Sequence, residues 1–186
     1  MIEIFLKKKF FYPNEYQKTV FDIDFNKLKS KGIQHILIDL DNTLIPYDEH
    51  LPNTRIEELV NQVKSLGLTM TIISNNKEKR VQAFSKAIQL DYVNSSKKPL
   101  KYGFKKALKK LSYPSVSTVC LIGDQFMTDV FGGNRMGFYT IVVDAIKRKT
   151  EKWYTKLNRK LENKVLLRLK KTDPDFYDLM NLAEKR

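Results

Sequence analysis

The sequence holds a single cysteine, Cys120, among 186 residues, so no intrachain disulfide can support the fold. A lone thiol fits a reducing compartment, and a cytoplasmic location is the expectation. Long apolar runs are missing too. The longest covers the four residues 119–122, far short of the roughly 20 that a bilayer-spanning helix needs. Lys7, Lys8 and Lys9 break the apolar start of the chain, which argues against a signal-peptide core there. There is no internal repeat and no Pro- or Ser-rich linker, so residues 1–186 are expected to form one domain. Hydrophobic residues at 42% and aromatics at 11% exclude wholesale disorder.

Acidic residues are also in short supply. The chain has 21 Asp and Glu against 34 Lys and Arg, a formal net charge of +13. The excess is local: residues 145–186 carry thirteen basic and six acidic side chains, whereas residues 32–144 carry fourteen and eleven. Residues 147–171 alone hold eleven basic side chains against Glu151 and Glu162, and residues 97–110 hold seven lysines and no acid. Such fields attract nucleic acid, acidic lipid or a phosphorylated substrate.

What is present is an alternation of strand-length apolar runs with helical patterns, the signature of βαβ units and a mostly parallel sheet. Strands are expected at 35–40, 69–74, 119–123 and 139–144, with a shorter one near 91–93. Helices are expected at 53–66, 77–89 and 100–111, the first with Ile56, Leu59, Val60 and Val63 on one stripe and Gly67 ending it. In the tail, Trp153, Leu157, Leu161, Val165 and Leu169 recur every four residues among Lys156, Arg159, Lys160 and Arg168, a basic amphipathic helix. Its apolar stripe either packs on the domain or meets an anionic membrane or RNA-rich surface. Phe5, Leu6, Phe10, Phe11 and Tyr12 around the lysine triplet pose the same choice between docking and an interfacial role.

Acidic residues sit where strands end. Asp39 and Asp41 stand at alternate positions where the first expected strand ends, and Asp124 follows 119–123, with Asp129 five residues on. Ligands of open α/β sheets bind beyond the carboxyl ends of strands. Two close carboxylates repel unless a proton or a cation intervenes, and Mg²⁺ takes such hard oxygen donors. Ser74, with Asn75 and Asn76 behind it, ends the second strand and offers donors to a phosphate, while Pro99 holds Lys98 in a loop.

Asp39-Leu40-Asp41-Asn42-Thr43, Ser74, Lys98 and Gly123-Asp124 with Asp129 resemble the four motifs of the haloacid dehalogenase (HAD) phosphatase superfamily, in order across residues 36–129. More narrowly, the chain resembles the YqeG family of subclass IIIA phosphatases. Lys98-Pro99-Leu100, Gly123-Asp124-Gln125, Thr128-Asp129-Val130, Gly132-Gly133-Asn134-Arg135 and Asn158-Arg159-Lys160-Leu161-Glu162 carry that likeness. It is also similar to the mitochondrial phosphatidylglycerophosphate phosphatases.

The resemblance implies a Rossmann-type parallel sheet flanked by helices. It makes Asp39 the nucleophile of an aspartyl-phosphate mechanism and Asp41 the acid and then the base. Mg²⁺ would be held by Asp39, the Asp41 backbone carbonyl and Asp124, with Asp129 shaping the metal shell. Thr43, Ser74, Asn75 and Lys98 would bind phosphate. Thirty residues lie between Thr43 and Ser74 and twenty-three between Ser74 and Lys98, too few for a lid domain, so the site is expected to be capless. Phosphatidylglycerophosphate is the expected substrate, presented at the inner face of a membrane that residues 147–171 contact peripherally. The alternatives are a phosphoprotein, a nucleic-acid end, a soluble phosphomonoester, or an RNA- or ribosome-binding protein with a secondary phosphatase site.

Overall fold

The structure, a computed structural model, describes residues 8–185. In chain order the elements are β1 (Glu15–Gln17), α1 (Phe25–Ser30), β2 (His35–Ile38), α2 (Thr54–Ser65), β3 (Thr69–Ile73), α3 (Glu78–Ala87), β4 (Asp91–Val93), α4 (Lys101–Lys110), β5 (Val119–Gly123), α5 (Phe131–Met136), β6 (Tyr139–Val143), α6 (Trp153–Thr172) and α7 (Pro174–Leu179). The six strands form one parallel sheet in the order β1-β6-β5-β2-β3-β4. β2 lies at its centre, with Ile38 opposite both Ile72 and Ile122, so the chain leaves β2, β3 and β5 at one edge.

Strand alternation sorts the core. Ile36 and Ile38 face α2, whose Ile56, Leu59, Val60 and Val63 are buried, while Leu37 faces Phe104, Ala107 and Leu108 of α4. Burying each such side chain is worth roughly 1.5–3 kcal/mol. Asn53 caps α2 by accepting from the Ile56 amide at 3.1 Å, and Leu66 is its C-cap, so the expected helix 53–66 overshot by counting both cap residues. The expected strands 119–123 and 91–93 are matched, whereas 35–40, 69–74 and 139–144 overshot at their carboxyl ends; after β2 the chain turns through Asn42 at φ +64°.

β1 has no counterpart among the sequence expectations. It is a three-residue edge strand without an apolar run, fixed by its parallel register with β6. Phe10 and Phe11 pack on Phe131 and Tyr12 on Phe176, so these aromatics dock on the domain, while Phe5 and Leu6 lie outside the described residues. The α6 stripe divides. Val165 and Leu169 are buried in a cluster with Phe126, Phe131 and Val142, whereas Trp153 and Leu157 are 76% and 51% exposed. Among the described residues no helix is long and apolar enough to cross a membrane.

Candidate active site

Asp39 continues the β2 ladder, its amide donating to the Ile122 carbonyl at 2.9 Å, and it sits at the floor of a cleft of about 70 Å³. Lys98 reaches the same floor from the loop before α4. Its Nζ lies 2.7 Å from Asp39 Oδ1 and 2.7 Å from Asp129 Oδ1, and its side chain is only 2% exposed. Asp129 is aimed there by a π-turn over Phe126–Val130, and its Oδ2 accepts from the Gln125 amide and the Thr128 hydroxyl. The close approach requires a glycine beneath it: a Cβ on Gly123 would lie 2.3 Å from the Asp129 carboxyl carbon.

Asp41 forms the opposite wall. Its Oδ2 accepts from Ser74 Oγ at 3.2 Å and from Asn76 Nδ2 at 3.3 Å, and its Oδ1 accepts from Arg80 Nε at 2.7 Å. Arg80, on α3, also donates to the carbonyls of Glu49 and Pro46, so the guanidinium is held in place before it meets Asp41.

Asp124, fully buried at the end of β5, faces a second cation. Arg159 of α6 donates through Nη2 to Asp124 Oδ2 and through Nη1 to the Asp124 carbonyl at 2.9 Å. The same guanidinium bonds Glu151 Oε1 through Nε and Nη2 and Glu162 Oε2 through Nη1. Glu151 accepts in turn from Asn42 Nδ2, and Lys185 Nζ donates to the carbonyls of Asp124 and Val143.

The structure thus brings Asp39, Asp41, Ser74, Lys98, Asp124 and Asp129 to one place. Thr43 is buried and does not line the cleft, its hydroxyl lying 3.4 Å from Asp124 Oδ1. Asn75 lines the cleft, but its side chain is engaged with the Lys98 loop, accepting from the Lys98 amide and Ser96 Oγ and donating to the Lys98 carbonyl. Arg80, Glu151, Arg159 and Lys185 have no counterpart among the expected site residues, while Asn76, expected beside Ser74, lines the cleft and donates to Asp41. No cap domain intervenes between Thr43 and Ser74, where α2 and β3 take up the chain, but Thr155 and Asn158 of α6 line one side of the cleft. Arg159 and Glu162, read from sequence as part of a basic amphipathic helix, are buried.

Asp39, Asp124 and Asp129 each offer a carboxylate oxygen within 4.8 Å of the others, all from buried residues. Burial pushes the Asp39 carboxyl well above the usual range, and its carboxylate neighbours add to this against the pull of Lys98. Asp129 is raised for the same first reason. Burial opposes the charge on Lys98, but Asp129 and Asp39 outweigh it and raise its pKa. Arg159 is likewise raised, burial being overcome by Asp124, Glu162 and Glu151. Asp129 Oδ1, although ion-paired with Lys98, accepts no well-directed hydrogen bond and keeps a lone pair available. A hard, oxygen-only, electron-rich donor set of this kind fits a divalent cation such as Mg²⁺.

A family model described as mitochondrial PGP phosphatase matches residues 1–147. The chain belongs to that family. The probable phosphatase YqeG of Bacillus subtilis (strain 168) is 37% identical over 164 residues, covering 88% of this chain and 94% of that one. Phosphatidylglycerophosphate phosphatase 1, chloroplastic/mitochondrial, of Arabidopsis thaliana is 27% identical over 173 residues, or 87% of this chain and 49% of the plant protein. An uncharacterized protein from Listeria monocytogenes serotype 4b shares the fold at a TM-score of 0.50, with 21% identity over 62% of this chain and 84% of that one. The chain is therefore a phosphatase of that family, a phosphoric monoester hydrolase. The part of the cleft built from Glu151, Thr155 and Asn158 lies beyond the segment that the PGP phosphatase model matches.

Proposed function

We propose that the chain removes the terminal phosphate of phosphatidylglycerophosphate through an aspartyl-phosphate on Asp39. The observation that carries this reading is the Asp39 carboxylate on the cleft floor, one oxygen held by Lys98 at 2.7 Å and Asp41 across the cleft. The free oxygen of Asp39 attacks phosphorus while the bond to the alcohol oxygen breaks. Asp41 gives its proton to the departing alcohol, then takes one from the water that attacks the phospho-aspartate, releasing inorganic phosphate and restoring Asp39. Lys98 and Ser74 offset charge on the phosphoryl oxygens. Asp39, Asp124, Asp129 and the Asp41 carbonyl would hold Mg²⁺, which when bound neutralises phosphoryl charge.

A lipid substrate is supported by family membership, by the absence of a cap domain, and by Trp153 and Leu157 standing exposed among lysines on α6. The test is phosphate release from phosphatidylglycerophosphate in mixed micelles by wild type and Asp39→Asn, with Mg²⁺ and with chelator. Wild type should release phosphate only with Mg²⁺, and Asp39→Asn should release none. Release by Asp39→Asn would overturn the nucleophile assignment. A wild type that hydrolyses soluble phosphomonoesters but not this lipid would overturn the substrate.

A further inference from the structure

Arg159 binds both the side chain and the backbone carbonyl of Asp124, which fixes that carboxylate in rotation and in depth. The guanidinium is itself fixed by Glu151 and Glu162, and its side chain is 7% exposed. Every one of these partners belongs to α6 or the turn before it, yet the atom they hold belongs to the carboxylate cluster at the end of β5. Asp124 Oδ2 is occupied by Arg159, which leaves Oδ1 with only a long 3.4 Å contact from the Thr43 hydroxyl, in a carboxylate that lies within 4.8 Å of those of Asp39 and Asp129. A carboxylate gripped through one oxygen and presenting the other is the arrangement by which outer partners orient a metal ligand.

We infer that Arg159 is a positioning residue that sets Asp124 for the divalent cation and so makes α6 a working part of the metal site. The inference rests on the metal reading above. By linkage the coupling runs both ways: a cation bound at Asp124 steadies Arg159, and with it the first turns of α6.

The informative variant is Arg159→Lys. It keeps the positive charge, so its effect on cation affinity isolates the lost fork rather than a changed field. Mg²⁺ binding to the full chain is measured by calorimetry, with circular dichroism confirming the fold. Loss of such an outer partner weakens metal affinity by about 10- to 100-fold, and turnover should recover as Mg²⁺ is raised. An unchanged Kd in the folded variant overturns the inference, even if activity falls. Hydrogen exchange of wild type with and without Mg²⁺ gives a second readout that needs no variant. Slower exchange across residues 151–165 on adding Mg²⁺ supports the coupling, and slowing confined to the loops after β2 and β5 overturns it. A wild type that takes up no Mg²⁺ overturns the metal reading itself, a result distinct from either of these.

Discussion

Arg80 donates from Nε to Asp41 Oδ1 at 2.7 Å while its other nitrogens bond backbone carbonyls, so the proposed acid–base carboxylate hangs from a guanidinium that cannot swing. Asp41→Asn should lower kcat by about 10² to 10⁴, the usual weight of general acid–base catalysis. Arg80→Lys keeps a cation but loses the fork, and should lower kcat by roughly 10- to 100-fold through misplacement of Asp41. Steady-state kinetics on a soluble phosphomonoester checks both. Full activity in Arg80→Lys would mean that Asp41 needs no such support.

Lys98 stands between two buried carboxylates. Lys98→Met strips them of their counter-charge, and breaking a buried pair from one side costs about 3–5 kcal/mol. The variant should melt well below wild type without metal, and added Mg²⁺ should raise its melting temperature more than it raises that of wild type. Equal shifts would separate Lys98 from the cation site.

The raised carboxyls of Asp39 and Asp129 give a pH dependence with a definite sign. A cation must displace protons that these groups hold above the ordinary carboxylate range, so apparent Mg²⁺ affinity rises with pH until they are deprotonated. Without metal the sign for stability is opposite. Their contribution is fully present below the unfolded-state pKa and is lost as pH rises through the raised folded-state values. Calorimetry in two buffers of different ionisation enthalpy should detect proton release on binding at mildly acidic pH.

Gly123→Ala places a methyl where the Asp129 carboxyl lies. Overpacking of this kind costs about 1–3 kcal/mol, and here the atom displaced is a proposed ligand, so thermal stability and Mg²⁺ affinity should fall together.

The exposed end of α6 is better probed by surface changes than by truncation, because removing α6 also removes Arg159. Trp153→Ser with Leu157→Ser should weaken co-sedimentation with phosphatidylcholine–phosphatidylglycerol vesicles while leaving the fold intact. Unchanged binding would direct attention to the other basic surfaces.

The central strands and the helices over them were legible because continuous Ile, Leu and Val runs and the 3.6-residue stripe of Ile56, Leu59, Val60 and Val63 leave few alternatives. The strand-end carboxylates were legible because their spacing matched a known set of motifs. Arg80 was hidden, being one cation among several on an amphipathic helix, with nothing local to mark it as a partner of Asp41. The part Arg159 plays was hidden more deeply: its segment 158–162 carried the family likeness, but only the three-dimensional return of α6 to β5 reveals the buried acids around it. The flanking Glu151 and Glu162, acids inside a basic run, were a further signal.

The closure of the site by Arg159 and Lys185 has a consequence for the order of biosynthesis. The ribosome delivers Asp39, Asp41, Asp124 and Asp129 well before the two cations that reach Asp124 from the far end of the chain. A nascent polypeptide that has emerged only through β6 possesses the whole sheet but holds Asp124 without its guanidinium, and must keep that carboxylate in water. On the proposed metal reading, full affinity for the cation would therefore be acquired late in synthesis, when α6 folds back, and prematurely released chains would bind it more weakly.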